Sequence, residues 1–440
     1  MLQAGVGLLS LSSVPSNLTN ISAADTTADV PLAEQGSAFL EVFLGGLKLV
    51  CQPMPTAVVC VDIWIPTGSA EEQPSSFGIA HLLEHMIFRG TDFDFLIESQ
   101  GGISSAATSL DYTHFSFTVP AQGLWTTLPY LANVLLQPKW TESDFQQEKA
   151  VVLEEIAQCY DDPDWMAFQL LQQTAYGDHG YGRSVLGTMS DVEQITLEQI
   201  CQFHALHYRP EQMTIAITGD VVVQQVRTLV LESFVSRAGR RDAPKPAIAP
   251  QISDRRSAYL NHLSHCRLFL SWLGVPASCW QEGLGLDLVA TLLTGGRSSR
   301  LVGLLREQWG WVYDIDCGFA LQRQAGLFTI SACLESCYLE PVEHHILMEV
   351  EALAQGKITD LELAKAKRSL CNSFIFGMES PQTLASFLGY HTMLGCDELC
   401  TGWAERYCQV IQQLTISDVQ RLAERYLASD RSVVVTCLPH

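Results

Sequence analysis

Two stretches, one near the end of each half of this chain, share a pattern that limits the folds available to it. Residues 195–220 read ITLEQICQFHALHYRPEQMTIAITGD, and residues 414–439 read LTISDVQRLAERYLASDRSVVVTCLP. In each stretch, a threonine suited to cap a helix precedes an amphipathic segment that ends near a tyrosine, and a turn and a β-branched strand follow. The spacing of about 219 residues far exceeds the ~20–50 residues of a solenoid repeat. The pattern therefore predicts a duplicated domain.

The segment between the two copies predicts where the domains separate. Residues 236–257 are rich in proline and charge, which is typical of a linker. We therefore predict a loose leader at 1–37, a first domain at 38–235 and a second domain at 258–440. Strand-like and helix-like segments mix within each domain without a regular βαβ order, which favours an α+β fold with a mostly antiparallel sheet packed against helices.

The overall composition excludes some classes of function. The net charge of −22 argues against a basic face for nucleic acid, and no apolar run reaches the ~18 residues that a membrane span needs. The N-terminal residues lack the positive charge of a secretory signal and the arginines of a mitochondrial presequence. The fourteen cysteines are scattered, which favours free thiols in a reducing compartment. We expect a cytoplasmic protein without a membrane span.

One short segment has the periodicity of a helix with two different faces. Residues 78–91 read GIAHLLEHMIFRGT. We predict that Ser76 caps this helix and that Gly90 ends it. Its apolar residues recur at helical spacing and form one stripe, made of Ile79, Leu82, Leu83, Met86 and Ile87.

The side of this helix opposite the stripe carries His81 and His85, with Glu84 on its flank. Residues one helical turn apart share a face, so both imidazoles can reach one metal ion. Glu84 can then point at the open position of the ion and act as a general base. The alternative is an ordinary solvated polar face. Phe77 and Phe88 lie on the same side, however, which predicts that another element covers it.

A catalytic zinc ion needs a third protein ligand, and the predicted helix at 142–160 offers one. Glu148 and Glu155 lie two turns apart on one face of that helix. Glu154 is a competitor, because helical phase alone does not separate it from Glu155. The residues by themselves therefore leave the third ligand open.

These segments together resemble the inverzincin metallopeptidases, which include pitrilysin, insulin-degrading enzyme and the mitochondrial processing peptidase. GIAHLLEHMIFRGT is similar to the zinc helix of that family, and EKAVVLEEI is similar to its second ligand helix. The resemblance implies that Glu155 is the third zinc ligand and that Glu148 supports the site. It also implies two roll domains, each a mostly antiparallel sheet against helices.

The resemblance extends into the second half of the chain. GGRSSRLVGLLREQWGWVYDI, at 295–315, is similar to the family segment that carries an arginine and a tyrosine, here Arg306 and Tyr313. The family implies that this pair binds the substrate backbone and stabilises the developing oxyanion. The predicted substrate-binding edge includes Ser105 and Ala106. Ser105 occupies the place of a family asparagine, so the substrate preference is expected to differ from that of relatives.

The length of the chain indicates a short, bacterial-type member with two roll domains. Such members pair two chains around a chamber, so each zinc site faces the second domain of its partner. The resemblance thus implies a zinc endopeptidase, with one zinc ion per site, that cleaves unfolded peptides or presequence-like segments as a homodimer. The alternatives are one half of a heterodimeric processing peptidase and a non-catalytic core or assembly subunit of the same fold.

Overall fold

The computed structural model describes residues 38–43, 45–234 and 254–440. We call the part up to residue 234 the first half and the part from residue 254 the second half. The first half contains the strands β1 (Phe39–Val42), β2 (Lys48–Pro53), β3 (Val58–Ile65), β4 (Ile103–Thr108), β5 (Thr113–Pro120) and β6 (Thr214–Gly219). The second half contains β7 (Asp254–Leu260), β8 (Cys266–Leu273), β9 (Val312–Ala320), β10 (Leu327–Leu334) and β11 (Val433–Pro439).

Helices follow the strands in a similar order in both halves. In the first half they are α1 (Ile79–Phe88), α2 (Phe93–Ser99), α3 (Leu124–Leu136), α4 (Glu142–Asp161), α5 (Pro163–Tyr176), α6 (Met189–Gln194), α7 (Leu197–His207) and α8 (Val223–Ser233). In the second half they are α9 (Trp280–Thr294), α10 (Leu339–Ala354), α11 (Asp360–Met378), α12 (Pro381–Met393), α13 (Asp397–Thr401), α14 (Trp403–Gln413) and α15 (Ile416–Tyr426).

The two sheets have matching strand orders. The first runs β1-β2-β6-β3-β5-β4, and the second runs β7-β11-β8-β10-β9. Strand for strand, β7 corresponds to β2, β11 to β6 and β8 to β3. In each sheet one pair is parallel, β2 with β6 and β7 with β11, while the remaining pairs are antiparallel. The predicted α+β fold with two duplicated, mostly antiparallel sheets is confirmed.

Local signals explain why the repeated helices begin where they do. Thr196 caps α7 and Thr415 caps α15, and in both cases the residue at the third helical position closes a capping box. The helices α5 and α12 both start with a proline, Pro163 and Pro381, at a position where the missing N–H costs nothing. The duplication therefore includes the start signals of corresponding helices.

Each half of the chain places one helix on the sheet of the other half. Helix α12 of the second half lies on strands β3 and β6 of the first sheet. Gly389 allows this close approach, because a Cβ there would come 2.1 Å from Trp64 Nε1. The hydroxyl of Ser386 donates to Asp62 Oδ2 at 2.6 Å across the same contact.

The corresponding helix of the first half makes the reciprocal contact. Helix α5 lies on strands β7, β8 and β11 of the second sheet. Ala167 and Leu171 pack there against Val433 and Val435. Arg267 Nε donates to Asp164 Oδ1 at 2.7 Å at the edge of this contact. Each sheet is therefore covered in part by the other half of the chain.

The start of the second half differs slightly from the prediction. Strand β7 begins at Asp254, inside the predicted linker 236–257 and before the predicted domain start at residue 258. The predicted leader 1–37 and the rest of the linker lie outside the described residues. No helix of the described residues combines the length and apolar character that crossing a membrane requires.

Candidate metal centre

The helix α1 is anchored by a residue that the sequence pattern did not single out. The carboxylate of Glu72 accepts the backbone N–H groups of Gly78 and Ala80, both at 2.9 Å. Gly78 has φ 89°, and a Cβ there would come 2.5 Å from the backbone oxygen of Leu186. The prediction that Ser76 caps the helix is wrong, because the helix starts after Gly78, and the carboxylate of Glu72 rather than the hydroxyl of Ser76 accepts N–H groups at its start. Burial raises the pKa of Glu72 to about 8.

The rest of α1 follows its periodicity. The apolar stripe is fully buried, and Gly90 adopts a left-handed conformation, φ 69°, directly after the helix, as predicted. The opposite face is not solvated. Helix α4 packs across it, so His81 is buried and His85 is partly buried.

The structure brings His81, His85 and Glu155 together. Their potential ligand atoms all lie within 4.8 Å of one another. Glu155 Oε2 is 3.7 Å from His81 Nε2 and 3.4 Å from His85 Nε2. Atoms that ligate a tetrahedral ion at about 2.0–2.1 Å stand roughly 3.4 Å from each other, so the three side chains fit one zinc ion without large movement. Glu154 is exposed and outside this group.

The pKa shifts of His81, His85 and Glu155 favour the binding of a cation. Burial, together with the nearby charge on His85, lowers the pKa of His81 to about 4, which leaves its imidazole neutral and able to ligate. Burial also opposes charge on His85, but the hydrogen bond to Glu155 and the neighbouring carboxylates raise its pKa. The same hydrogen bond lowers the pKa of Glu155. A divalent ion would replace the proton that His85 and Glu155 share.

Glu84 lies beside this group and is held by one contact. Thr108 Oγ1 donates to Glu84 Oε2 at 2.6 Å. Burial raises the pKa of Glu84, and the hydrogen bond from Thr108 opposes this rise. Thr108 is the last residue of β4, so the strand at the sheet edge positions the carboxylate. No local pattern predicts a role for Thr108, because the contact joins residues of different elements.

Glu148 contacts the other ring nitrogen of His85. Glu148 Oε2 is 3.6 Å from His85 Nδ1, and Glu148 Oε1 is 3.0 Å from Arg89 Nη1. Arg89 also lies 3.8 Å from Asp144 on α4. A carboxylate on the distal nitrogen of a ligating histidine orients the ring and raises its basicity. Arg89, at the end of α1, was not predicted as part of this arrangement.

The predicted substrate edge lies next to the cluster. Strand β4 ends the first sheet, and among the described residues it pairs on one side only, with β5. Ser105 is exposed and Ala106 is partly exposed on this strand. The unpaired side of β4 presents backbone donors and acceptors to an added strand.

Arg306 and Tyr313 lie in the second half and pair locally. Arg306 contacts Glu307 at 3.0 Å and Asp314 at 3.5 Å, within and after a short π-helical segment, Val302–Gln308. Tyr313 is 57% exposed on the edge strand β9, and its hydroxyl donates to Glu335 at 2.6 Å. Their predicted action from a partner chain stays a prediction.

Two protein-family models match this chain and identify its family. The model described as Insulinase (Peptidase family M16) matches residues 49–189, and the model described as Peptidase M16 inactive domain matches residues 194–370. Together they span more than half of the sequence. The chain belongs to peptidase family M16. The first match contains His81, His85 and Glu155, and the predicted pitrilysin-family resemblance is confirmed.

Individual M16 relatives have similar length. An uncharacterized zinc protease of Mycobacterium leprae is 31% identical over 404 residues, which cover 87% of this chain and 88% of that protein. A zinc protease of Helicobacter pylori is 28% identical over 408 residues, 90% of this chain and 91% of the relative. A solved protease structure from Helicobacter pylori has TM-score 0.84 and 27% identity and covers 92% of this chain and all of that one.

The same fold also occurs in a chain of a larger protein complex. A chain of complex III2 from Candida albicans has TM-score 0.76 but 13% identity, and it covers 91% of this chain and 95% of its own length. At that identity the similarity concerns the fold alone. Similarity of fold therefore does not by itself establish peptidase activity.

Proposed function

We propose that this M16 member is a zinc-dependent endopeptidase that cleaves unfolded peptides, including presequence-like segments, in a chamber formed by two chains. The observation that carries the proposal is the convergence of His81, His85 and Glu155, with Glu84 held beside them. The curated relatives of similar length that are named zinc proteases support it. We expect the protein to work in the cytoplasm, because its cysteines are free thiols and a reducing compartment keeps thiols free.

The residues of the cluster have separate roles in the proposed reaction. A bound zinc ion supplies Lewis-acid activation of a water molecule and of the peptide carbonyl. Glu84 takes the proton of the attacking water and returns it to the leaving amine. Burial raises the pKa of Glu84, which favours its holding the proton between the two transfers. Thr108 keeps the carboxylate pointing at the site, and Glu148 keeps the ring of His85 in place.

The substrate binds as an added strand in this proposal. The unpaired side of β4 offers backbone hydrogen bonds that do not depend on the peptide sequence. Ser105 and Ala106 lie on that strand, and Ile103 is 59% exposed. An extended peptide fits this edge, whereas a folded protein does not, so selection is by unfoldedness.

The remaining groups come from a second chain. Arg306 and Tyr313 provide a cation and a phenol donor, which suit an oxyanion and the substrate backbone. A homodimer is the simplest assembly, because one chain carries both the metal cluster and this pair. A heterodimer with a related chain is the alternative assembly.

The test measures zinc and cleavage together. Wild type should hold about one zinc ion per chain and cleave an internally quenched basic peptide, and a chelator should stop the cleavage until zinc is restored. Glu84→Gln should keep the zinc and lose at least about 100-fold of the cleavage rate. Glu154→Gln, which changes the exposed neighbour of Glu155, is the matched control and should behave like wild type.

One outcome would overturn the proposal in favour of another function. If wild type binds stoichiometric zinc yet cleaves no unfolded peptide, either alone or mixed with a related chain, the chain is a non-catalytic assembly subunit. Gel filtration of the same samples distinguishes a homodimer from a chain that needs a different partner.

A further inference from the structure

The connection between strands β9 and β10 reaches from the second half of the chain into the first. It consists of residues 321–326, which read LQRQAG, and we call it the hairpin connection. The backbone N–H of Arg323 in this connection donates to Asp111 Oδ2 at 2.8 Å, and Arg323 Nη2 donates to the backbone oxygen of Asp111 at 2.9 Å. Asp111 lies between β4 and β5 of the first sheet, in residues 109–112, which we call the β4–β5 turn.

The carboxylate of Asp111 is buried and depends on donors from the protein around it. Only 4% of the residue is exposed. The N–H of Arg323 serves one carboxylate oxygen, and the hydroxyl of Tyr181 donates to the other. The same hydroxyl accepts the backbone N–H of Gln324 at 3.2 Å. Because a buried carboxylate is strongly destabilising without its partners, these bonds fix the β4–β5 turn against the hairpin connection.

The β4–β5 turn is directly joined to the residue that holds Glu84. Thr108 is the last residue of β4 and immediately precedes the turn, and its hydroxyl donates to Glu84 Oε2 at 2.6 Å. Thr108 pairs with Thr113 at the other end of the turn. A shift of the turn therefore moves the hydroxyl that orients Glu84. Misplacing a reacting group by about 1 Å can lower a rate about 100-fold, so even a small shift matters.

The guanidinium of Arg323 also contacts the segment that leads into α1. Its Nη2 donates to the backbone oxygen of Pro66 at 3.1 Å, and its Nη1 lies 3.7 Å from Glu71 Oε1. Glu71 is followed by Glu72, whose carboxylate accepts N–H groups at the start of α1. One side chain of the second half therefore contacts both segments of the first half that lead to the metal cluster.

These two segments of the first half also hold each other. The backbone N–H groups of Ser69 and Ala70 donate to the carbonyl oxygens of Ser109 and Leu110, both at 3.0 Å. A Cβ at Gly68 would come 2.1 Å from the oxygen of Ser109, so only glycine allows this approach. The β4–β5 turn and the segment before α1 thus form one unit, which the hairpin connection joins to the second half.

We propose that Arg323 is a positioning residue, which holds the β4–β5 turn and thereby keeps Thr108, and through it the carboxylate of Glu84, aligned with the metal cluster. Its consequence for cleavage rests on the proposed function, whereas its effect on the turn rests on the hydrogen bonds alone. Arg323 acts on the site of its own chain and touches no reacting atom. This role is separate from the predicted action of Arg306 and Tyr313 on the site of a partner chain.

The first measurement does not require cleavage. Arg323→Met keeps an apolar side chain and removes the guanidinium. Arg267→Met is the matched control, because Arg267 also joins the two halves, but through Asp164 Oδ1 at 2.7 Å rather than through the turn. Full-length proteins supplied with zinc are compared by hydrogen exchange and mass spectrometry. Peptides that cover residues 103–113 should exchange at least about 10-fold faster in Arg323→Met than in wild type or Arg267→Met, with equal zinc content in all three.

The second measurement tests whether Arg323 acts through Thr108. Thr108→Val removes the hydroxyl with little change of shape and should lower kcat about 10–100-fold. Arg323→Met should lower kcat by a similar factor and change KM by less than about threefold. The combined variant should be no slower than the slower single variant, because both changes remove the same alignment. Arg267→Met should keep the kcat of wild type.

Two results would overturn the proposal. Unchanged exchange of residues 103–113 in Arg323→Met would show that the guanidinium does not hold the turn. Losses of kcat that multiply in the combined variant would show that Arg323 does not act through Thr108. If wild type cleaves no peptide, the proposed function fails, and the exchange measurement still decides whether Arg323 fixes the end of β4. If Arg323→Met folds poorly, Arg323→Lys replaces it, since a lysine keeps the charge but lacks the forked donors that reach two carbonyl oxygens.

Discussion

The two halves of the chain build the same sheet, but they use the helix behind it differently. In the first half, α1 and α4 bring His81, His85 and Glu155 to one point. In the second half, the corresponding helix α9 is mostly buried and apolar, and no three-residue metal group occurs there among the described residues. The difference teaches that the duplicated fold is a scaffold and that the candidate chemistry depends on a few side chains of one copy.

The second half contributes in other ways. It covers the first sheet with α12, and it carries Arg306 and Tyr313 at the outer part of its own sheet. Its candidate groups pair locally within this chain, whereas those of the first half converge on each other. The comparison therefore predicts that the first half holds the metal and that the second half acts on a neighbouring site.

The largest expected effect comes from removing a ligand in the first half. Glu155→Gln should reduce zinc affinity by more than about 100-fold and abolish cleavage, because an amide carries no negative charge for the ion. Glu154→Gln should change neither. Titration with zinc in the presence of a competing chelator measures the zinc affinity of both variants. Equal affinity in the two would mean that Glu155 is not a zinc ligand and that the first half does not hold the metal as predicted.

The second prediction concerns the pair in the second half. Arg306→Ala should keep its zinc and lose about 10²–10³-fold of the cleavage rate, because it removes one group that stabilises developing charge. Mixing it with Glu84→Gln should restore activity to about a quarter of wild type, since half of randomly formed dimers then contain one complete site. The measurement is the cleavage rate before and after exchange of subunits. No recovery in mixed dimers would mean that each site is completed within its own chain.

A smaller effect is expected at the residue that orients His85. Glu148→Gln should weaken zinc binding by about 10–100-fold, because the ring loses a charged acceptor on its distal nitrogen. Gln146→Glu, on the same helix, is the charge-changing control and should leave zinc binding unchanged. Isothermal titration with zinc resolves the difference. Wild-type affinity in Glu148→Gln would show that Glu148 serves packing with Arg89 rather than the metal group.

The sequence predicts the parts of this molecule that depend on local periodicity. The stripe of α1 and the threonine caps of α7 and α15 follow from short-range patterns, and the second occurrence of one such pattern indicates the duplication. The pair His81 and His85 is also local, because one helical turn separates them.

The remaining features depend on contacts between distant segments. Glu72 replaces the predicted cap Ser76 because the loop before α1 folds back, which no local pattern encodes. Helical phase did not choose between Glu154 and Glu155, and only the packing of α4 across α1 separates them. The exchange of α5 and α12 between the halves was likewise not predicted. The small size of Gly389 has meaning only once the partner sheet is known.

The smallest effect concerns Asp287, a partly buried acid on α9, the counterpart of α1. Asp287 points into a cavity of about 300 Å³ between the halves, shared with Asp316 and Tyr390. Burial raises the pKa of Asp287 to about 8, whereas the partly buried Glu84 of α1 has Thr108 as a donor. Since the pKa of Asp287 in the unfolded chain lies near its ordinary value of 3.8, its carboxyl ionises in the unfolded state at lower pH than in the folded state. Its contribution to stability is therefore complete below pH ~4 and is lost as pH rises toward about 8.

Asp287→Asn should remove the loss of stability that ionisation of Asp287 causes as pH rises. The variant should match wild type in urea unfolding at pH 4 and exceed it at pH 8 by an amount on the order of 1–3 kcal/mol, since an amide does not ionise. Asp430→Asn, near the end of the chain in an exposed turn, is the control and should show no pH-dependent difference. Equal stability of Asp287→Asn and wild type at both pH values would mean that this carboxylate is already compensated. In that case Asp287, like Glu84 in the first half, would have a neighbouring group that stabilises its negative charge.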